Sequence, residues 1–200
     1  VNFLAHLHLA DGTPPSMVGG VIADFVRRPE VERLPTGVQE GVRLHRLIDA
    51  FTDRHPIVHR SIARLGGKFG WFSGILIDVY YDHILARDWP HYSSEPLREF
   101  ADRAYSALED LLPIVPEEVG GYVRGFIDDD RLVRYATPEG IAEALARISD
   151  RVALRMPRHA MRLETAMPDL LITDARLTTD FQTFYPELIA HADRCKAGGG

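Results

Sequence analysis

The stretch FSGILIDVYYDHILARDW at residues 72–89 constrains this chain more than any other. It leaves room for about five helical turns before Pro90, with only Gly74 to weaken them. Ile75, Leu76, Ile77, Val79, Tyr80, Ile84 and Leu85 fall on nearly every side of that helix, and a helix apolar all round belongs in the centre of a protein. Yet it also carries Asp78, Asp82 and His83, the two aspartates four apart and therefore on one face. A carboxylate buried without a partner is costly, so each must be protonated, ion-paired or bound to a cation. Structural bridges to Arg or His would meet that demand as well as a metal. The choice depends on what the other segments bring to the same helix.

Those segments read as helices too. NFLAHLHLADG forms a short apolar helix ended by Asp11-Gly12, with Pro14-Pro15 blocking its continuation. His6 and His8 point to roughly opposite sides of it, so one of them faces inward. Ser16 is the expected cap of a second helix, MVGGVIADFVRR, which Pro29 stops; Gly19-Gly20 lets another helix approach closely, and Asp24 follows an apolar run. Thr36 is the expected cap of GVQEGVRLHRLIDAFTDRH, where Leu44, Leu47, Ile48 and Phe51 form a core stripe beside His45, Asp49 and Asp53 at i, i+4, i+8. Helical pattern continues at 57–65, 94–112, 119–127, 138–153, 157–166 and 168–192, with prolines 113, 116, 138, 157 and 168 near the boundaries. No run of period-two β-branched residues appears. The expected fold is all-α: a single domain over 1–197 with a glycine tail at 198–200.

Charge and cysteine content narrow the function. A net charge of −6 argues against broad nucleic-acid binding. The balance is uneven: residues 24–68 hold nine Lys/Arg against six Asp/Glu, and 109–150 hold four against ten, so the first region can attract an acidic partner. One cysteine, Cys195, excludes an internal disulfide framework and fits a reducing compartment. Neither a membrane span nor a secretory leader is legible, so the expected address is the cytoplasm.

Ten of the twelve His and Asp residues in the first 83 positions stand out: His6, His8, Asp24, His45, Asp49, Asp53, His55, Asp78, Asp82 and His83. Imidazole and carboxylate without thiolate suit Mn, Fe, Ni or Zn, and a carboxylate-rich set leans toward a hard ion such as Mn2+ or Mg2+. A divalent ion there would activate water and screen phosphate charge, as phosphoester hydrolysis requires. Each residue also has an ordinary reading: Asp24 with Arg27 or Arg28, His45 with Asp49 as a plain i,i+4 pair, Asp53 as a helix end. No HExxH, CxxC, Walker A or GxSxG motif is present.

In order along the chain, NFLAHLHLA, GGVIADFVR, GVRLHRLIDAFTDRHP and DVYYDHILARDW resemble the acyl carrier protein phosphodiesterase family. These motifs cover nearly half of residues 1–89; the later half contributes helical pattern only. The resemblance implies an atypical relative of the all-helical HD phosphohydrolases, which hold divalent metal with His and Asp. This chain has no His-Asp doublet, only the reversed Asp82-His83, which leaves the ligand set open. The implied activity is hydrolysis of the phosphodiester joining 4′-phosphopantetheine to a serine of holo-acyl carrier protein. Mn2+ is the implied metal, the acidic carrier protein the partner, and fatty acid biosynthesis the setting.

On this reading a subset of Asp24, His45, Asp49, Asp78 and Asp82 holds the metal. His83 or His6 shuttles a proton or holds the phosphate, and Arg27, Arg46 or Arg54 neutralises its oxygens. Two alternatives stand beside it: an HD-like phosphohydrolase for a nucleotide or other small phosphoester, and a helical module that binds carrier protein without catalysis. The preferred reading expects Asp24, Asp49 and Asp78 to converge from the helices at 16–28, 37–55 and 72–89.

Overall fold

The apolar run becomes the helix Phe72–Arg87, and Leu76, Ile77, Tyr80, Tyr81, Ile84 and Leu85 on it are fully buried. Each such aliphatic side chain contributes about 1.5–3 kcal/mol by leaving water, which is why this helix sits where the others can cover it. The computed structural model describes residues 1–115 and 117–198. Among them every regular element is helical: α1 Phe3–Leu9, α2 Pro14–Ile22, α3 Arg28–Val31, α4 Thr36–Thr52, α5 Pro56–Arg64, α6 Phe72–Arg87, α7 Leu97–Leu111, α8 Glu117–Asp128, α9 Arg131–Arg134, α10 Pro138–Arg155 and α11 Met167–Ala197. Short 3-10 turns lie at Trp89–His91, Leu112–Ile114, Pro157–His159 and Leu163–Ala166. Helices α1, α5, α10 and α11 pack around α6, and one continuous core runs from Phe3 on α1 to Leu188 on α11. No helix among the described residues is long and apolar enough to cross a membrane.

Two glycines set the spacing of the helices that carry the histidines. A Cβ on Gly19 would stand 2.4 Å from the Val38 carbonyl oxygen, and one on Gly41 would stand 2.4 Å from that of Ser16. Helices α2 and α4 therefore touch backbone to backbone, which only glycine permits. Gly20, the other residue of the pair, turns instead toward His6 on α1.

Several boundaries differ from the sequence expectations for local reasons. Pro14-Pro15 opens α2 rather than separating it from α1, because proline suits the first helical turn, and Thr13, not Ser16, supplies the capping hydroxyl. Thr36 is the first residue of α4, with Pro35 in the cap position. Helix α2 stops at Ile22, so Asp24 lies in the turn that follows, where Phe25 packs on Tyr122 with ring centroids 4.5 Å apart. The helix expected over 157–166 is two 3-10 turns, since Met156 leaves helical geometry before Pro157, at φ −139° and ψ 67°. Helices α3 and α9 were not anticipated, and α11 continues through Pro186 to Ala197. Of the expected tail, Gly198 caps α11; residues 199 and 200, like Pro116, lie outside the described residues.

Candidate active site

Helix α4 supplies the centre of the site. His45 and Asp49 sit one turn apart on the face that α2 approaches, and His45 Nδ1 donates to the Gly20 carbonyl at 2.8 Å. That bond fixes the ring and turns Nε2 toward Asp49 Oδ2 at 2.9 Å and Asp24 Oδ1 at 3.3 Å. From α1, His6 stacks on His45 with ring centroids 3.7 Å apart and brings its Nε2 to 3.1 Å from Asp49 Oδ1. Close as these approaches are, His45 Nε2 has no aligned hydrogen-bond partner among the described residues, and neither has His6 Nδ1, although both atoms are buried. Groups that meant to pair with each other would align. These converge on a shared point, and ligand atoms at right angles on one ion, with bonds of about 2.1 Å, would lie about 3 Å apart. His6, His45 and Asp49 thus form a set able to hold a metal ion, with Asp24 beside it.

Electrostatics follow from that crowding. Burial opposes a charge on His45, but the Asp24 and Asp49 carboxylates outweigh it and raise the ring to about 9. Burial, reinforced by the positive charge of His45, lowers His6 to about 4 and keeps it neutral at pH 7. Both aspartates titrate below the usual carboxylate range: partial burial works against ionisation, and the neighbouring imidazoles more than offset it.

The cluster forms one wall of a cavity of about 310 Å3. Asp24, Asp49 and Asp78 all line it, together with His6 and with Asp53, the residue that ends α4. Asp78 stands beside the cluster rather than within it, its carboxylate paired with the Val1 amine.

Five expected site residues lie elsewhere. Asp82, fully buried, accepts hydrogen bonds from the backbone amides of Leu4 at 2.6 Å and of Asn2 and Ala5 at 3.2 Å. It caps α1 from outside the helix, because Asn2 provides no side-chain cap, and so it holds the turn that carries His6. His83 is buried too, donating Nδ1–H to the Tyr135 carbonyl at 2.8 Å, behind the cavity wall. Arg46 is exposed and lines a separate groove with Arg28 and Arg43, and Arg54 lines another with Leu47 and Phe51. Arg27 precedes α3, where its amide donates to Glu30. His8, on the far side of α1 from His6, pairs through Nδ1 with the Tyr185 hydroxyl at 2.8 Å.

The arginines that do line the cavity come from the half of the chain that sequence reading left without a role: Arg131 on α9 and Arg147 and Arg151 on α10. The net acidity of 109–150 hid them. Their one signal is the spacing of Arg147 and Arg151, four apart and flanking Ile148 on a helix whose Ala144 also lines the cavity.

The chain has many recognisable relatives. The family description "Acyl carrier protein phosphodiesterase" matches residues 1–188. Among the similar proteins, an acyl carrier protein phosphodiesterase of Escherichia coli O157:H7 is 35% identical over 195 residues, covering 97% of this chain and 98% of the relative. The protein of the same name in Escherichia coli strain SMS-3-5 is 34% identical over the same spans, 97% and 98%. No solved structure matches the chain. With the family match spanning residues 1–188 and the relatives aligned almost end to end, the chain belongs to the acyl carrier protein phosphodiesterase family.

Proposed function

We propose that this chain hydrolyses the phosphodiester between 4′-phosphopantetheine and a serine of holo-acyl carrier protein, using a divalent cation held by His6, Asp24, His45 and Asp49. One observation carries the metal: His45 Nε2 has carboxylate oxygens at 2.9 and 3.3 Å and yet no aligned hydrogen bond. Family membership and the names of the relatives support the substrate. A bound divalent ion, Mn2+ on this reading, would supply positive charge against the phosphoryl oxygens and a water of lowered pKa.

The protein's own groups prepare that chemistry. The Gly20 carbonyl holds His45 so that Nε2, not Nδ1, faces Asp24 and Asp49. His6 stays neutral at pH 7 and offers a nitrogen without adding a second positive charge. Asp24 and Asp49 stay ionised, and Asp82 keeps the first turn of α1 in register beneath His6. Hydrolysis breaks the bond between phosphorus and the serine oxygen. The hydroxyl of water goes to phosphorus and its proton to serine, which leaves the apo-protein and free 4′-phosphopantetheine.

The test uses holo-acyl carrier protein with the wild-type chain and Mn2+. Intact-mass spectrometry should show loss of the 4′-phosphopantetheine mass, and chelation should stop it. Asp49→Asn should lose stoichiometric metal and turnover together while its circular dichroism stays helical. Full turnover by the Asp49→Asn or chelated protein would overturn the metal assignment. Release of phosphate from a nucleotide, with the holo-protein untouched, would transfer the site to the small-phosphoester reading.

A further inference from the structure

The wall opposite the histidines holds three arginines in different circumstances. Arg131 bonds to Asp129 Oδ2 at 3.0 Å, and Arg147 shares that oxygen at 3.1 Å while also reaching Glu143 at 3.5 Å. Their charge is largely met. Arg151 makes no ion pair among the described residues. Its guanidinium lies instead over two aromatic rings, 4.6 Å from the centroid of Tyr122 and 5.2 Å from that of Phe25. Contact with the rings uses none of the guanidinium N–H donors, and among the described residues they make no hydrogen bond. It also removes rotamer freedom before any ligand arrives, so less is lost when one binds. The two rings are themselves fixed, 4.5 Å apart, between α8 and the turn that carries Asp24.

We infer that Arg151 is an anion-binding residue, held by Tyr122 and Phe25, that receives the non-bridging oxygens of a phosphoryl group bound in this cavity. A planar fork of N–H donors matches two phosphate oxygens at once, which a carboxylate-lined cavity otherwise lacks means to do. The numbers of charges agree as well: a phosphodiester carries one negative charge, and one arginine here is left without a countercharge among the described residues. Arg147, four residues earlier on the same face of α10, completes the positive edge while Asp129 limits the repulsion between the two. The substrate assignment of this subsite rests on the proposed phosphodiesterase reading; the phosphate binding does not.

The experiment titrates the as-purified protein with inorganic phosphate and follows binding by calorimetry and by the rise in melting temperature. Arg151→Gln should weaken phosphate binding about 10–100-fold, the range for losing a charge-assisted contact, with metal content and circular dichroism unchanged. Arg151→Lys should recover part of the affinity, because it restores charge but not the fork. Tyr122→Phe, which keeps the ring under Arg151 and removes only a hydroxyl, should weaken binding far less than Arg151→Gln. With holo-acyl carrier protein, Arg151→Gln should raise KM or lower kcat without shifting metal affinity. Phosphate binding equal to wild type in Arg151→Gln would overturn the proposal, as would failure of the wild type to bind phosphate. Loss of metal or of helical signal in both Arg151→Gln and Arg151→Lys would overturn it too, since Arg151 would then be structural. Phosphate binding that depends on Arg151, in a protein that leaves holo-carrier protein intact, would keep this inference and remove the phosphodiesterase reading.

Discussion

Asp180 on α11 and Asp49 on α4 are both aspartates packed among helices, and the groups around them differ in kind. Asp180 is fully buried, and its oxygens accept from Arg60 at 2.6 Å, from Arg64 at 2.7 and 3.1 Å and from Ser61 at 2.8 Å. Each of these bonds is aligned, the charge is cancelled, and nothing remains for a ligand to satisfy. Asp49 is 40% exposed toward a cavity, and its close neighbours are two imidazoles, one of which has no aligned bond at all. A buried charge with all its partners locks helices together. A charge whose neighbours crowd it without pairing is waiting for something else. Asp82 belongs with Asp180 on this scale, because three backbone amides absorb its oxygens.

The largest effect that would break this distinction is on stability. Asp180→Ala removes four aligned hydrogen bonds and leaves a buried hole, while Arg60 and Arg64, 53% and 25% exposed, can turn to water; it should cost about 2–4 kcal/mol. Urea unfolding would read it as a lower midpoint at similar slope. Asp49→Ala in chelated protein should cost much less, because removing it also relieves imidazoles that were poorly paired. Equal losses in the two variants would mean that the Asp49 cluster is as structural as the Asp180 network.

Asp82→Ala should fall between them. It leaves the amides of Leu4 and Ala5 buried without acceptors, at about 1–3 kcal/mol. Because those amides begin the helix that carries His6, metal affinity should also weaken, though less than in Asp49→Asn. A variant that loses stability but binds metal as tightly as wild type would separate the cap from the site.

How far the sequence foretold these arrangements depended on how local the cause was. The central helix was legible because apolar residues on every side leave no other place for 72–89. The His45–Asp49 pairing was legible because four residues is one helical turn, and the close contact of α2 with α4 was legible in Gly19. Asp82 was misjudged as a ligand because its partners are amides of α1, eighty residues distant in the chain, and periodicity carries no such information. Asp24 was set on a helix because nothing in GGVIADFVR marks the stop after Ile22; the turn is imposed by packing of Phe25 on Tyr122. The cavity arginines were passed over for a related reason. Arg151 acquires meaning only through Tyr122 and Phe25, which come from two other segments.

The smallest predicted effect concerns pH, and it sharpens the comparison between Asp49 and Asp180. In metal-free protein His45 is raised from 6.5 to about 9, so its stabilising charge is fully present below 6.5 and is lost as pH rises through about 9. His6 is lowered from 6.5 to about 4; the unfolded chain then binds the proton more readily, and stability falls as pH drops from 6.5 toward about 4. The two imidazoles alone would give a maximum near pH 6.5, but Asp82, raised by burial from 3.8 to about 7, loses stability as pH rises toward 7 and so opposes the acid limb of His6. Asp180, burial notwithstanding, is held below its usual 3.8 by Arg64, Ser61 and Arg60, so its contribution is present above 3.8 and does not vary across this window. Melting temperatures of chelated protein should therefore vary little between about pH 5 and 6.5 and fall toward pH 9. His45→Gln should flatten the alkaline fall and His6→Gln should leave the opposing Asp82 slope uncompensated on the acid side, whereas Asp180→Ala should lower the whole curve without changing its shape. Metal reverses the alkaline limb: it must displace the proton from His45, so affinity should climb with pH toward 9 and release protons on binding. An alkaline fall that persists unchanged in His45→Gln would place the titration outside the cluster and remove the electrostatic difference drawn between the two carboxylates.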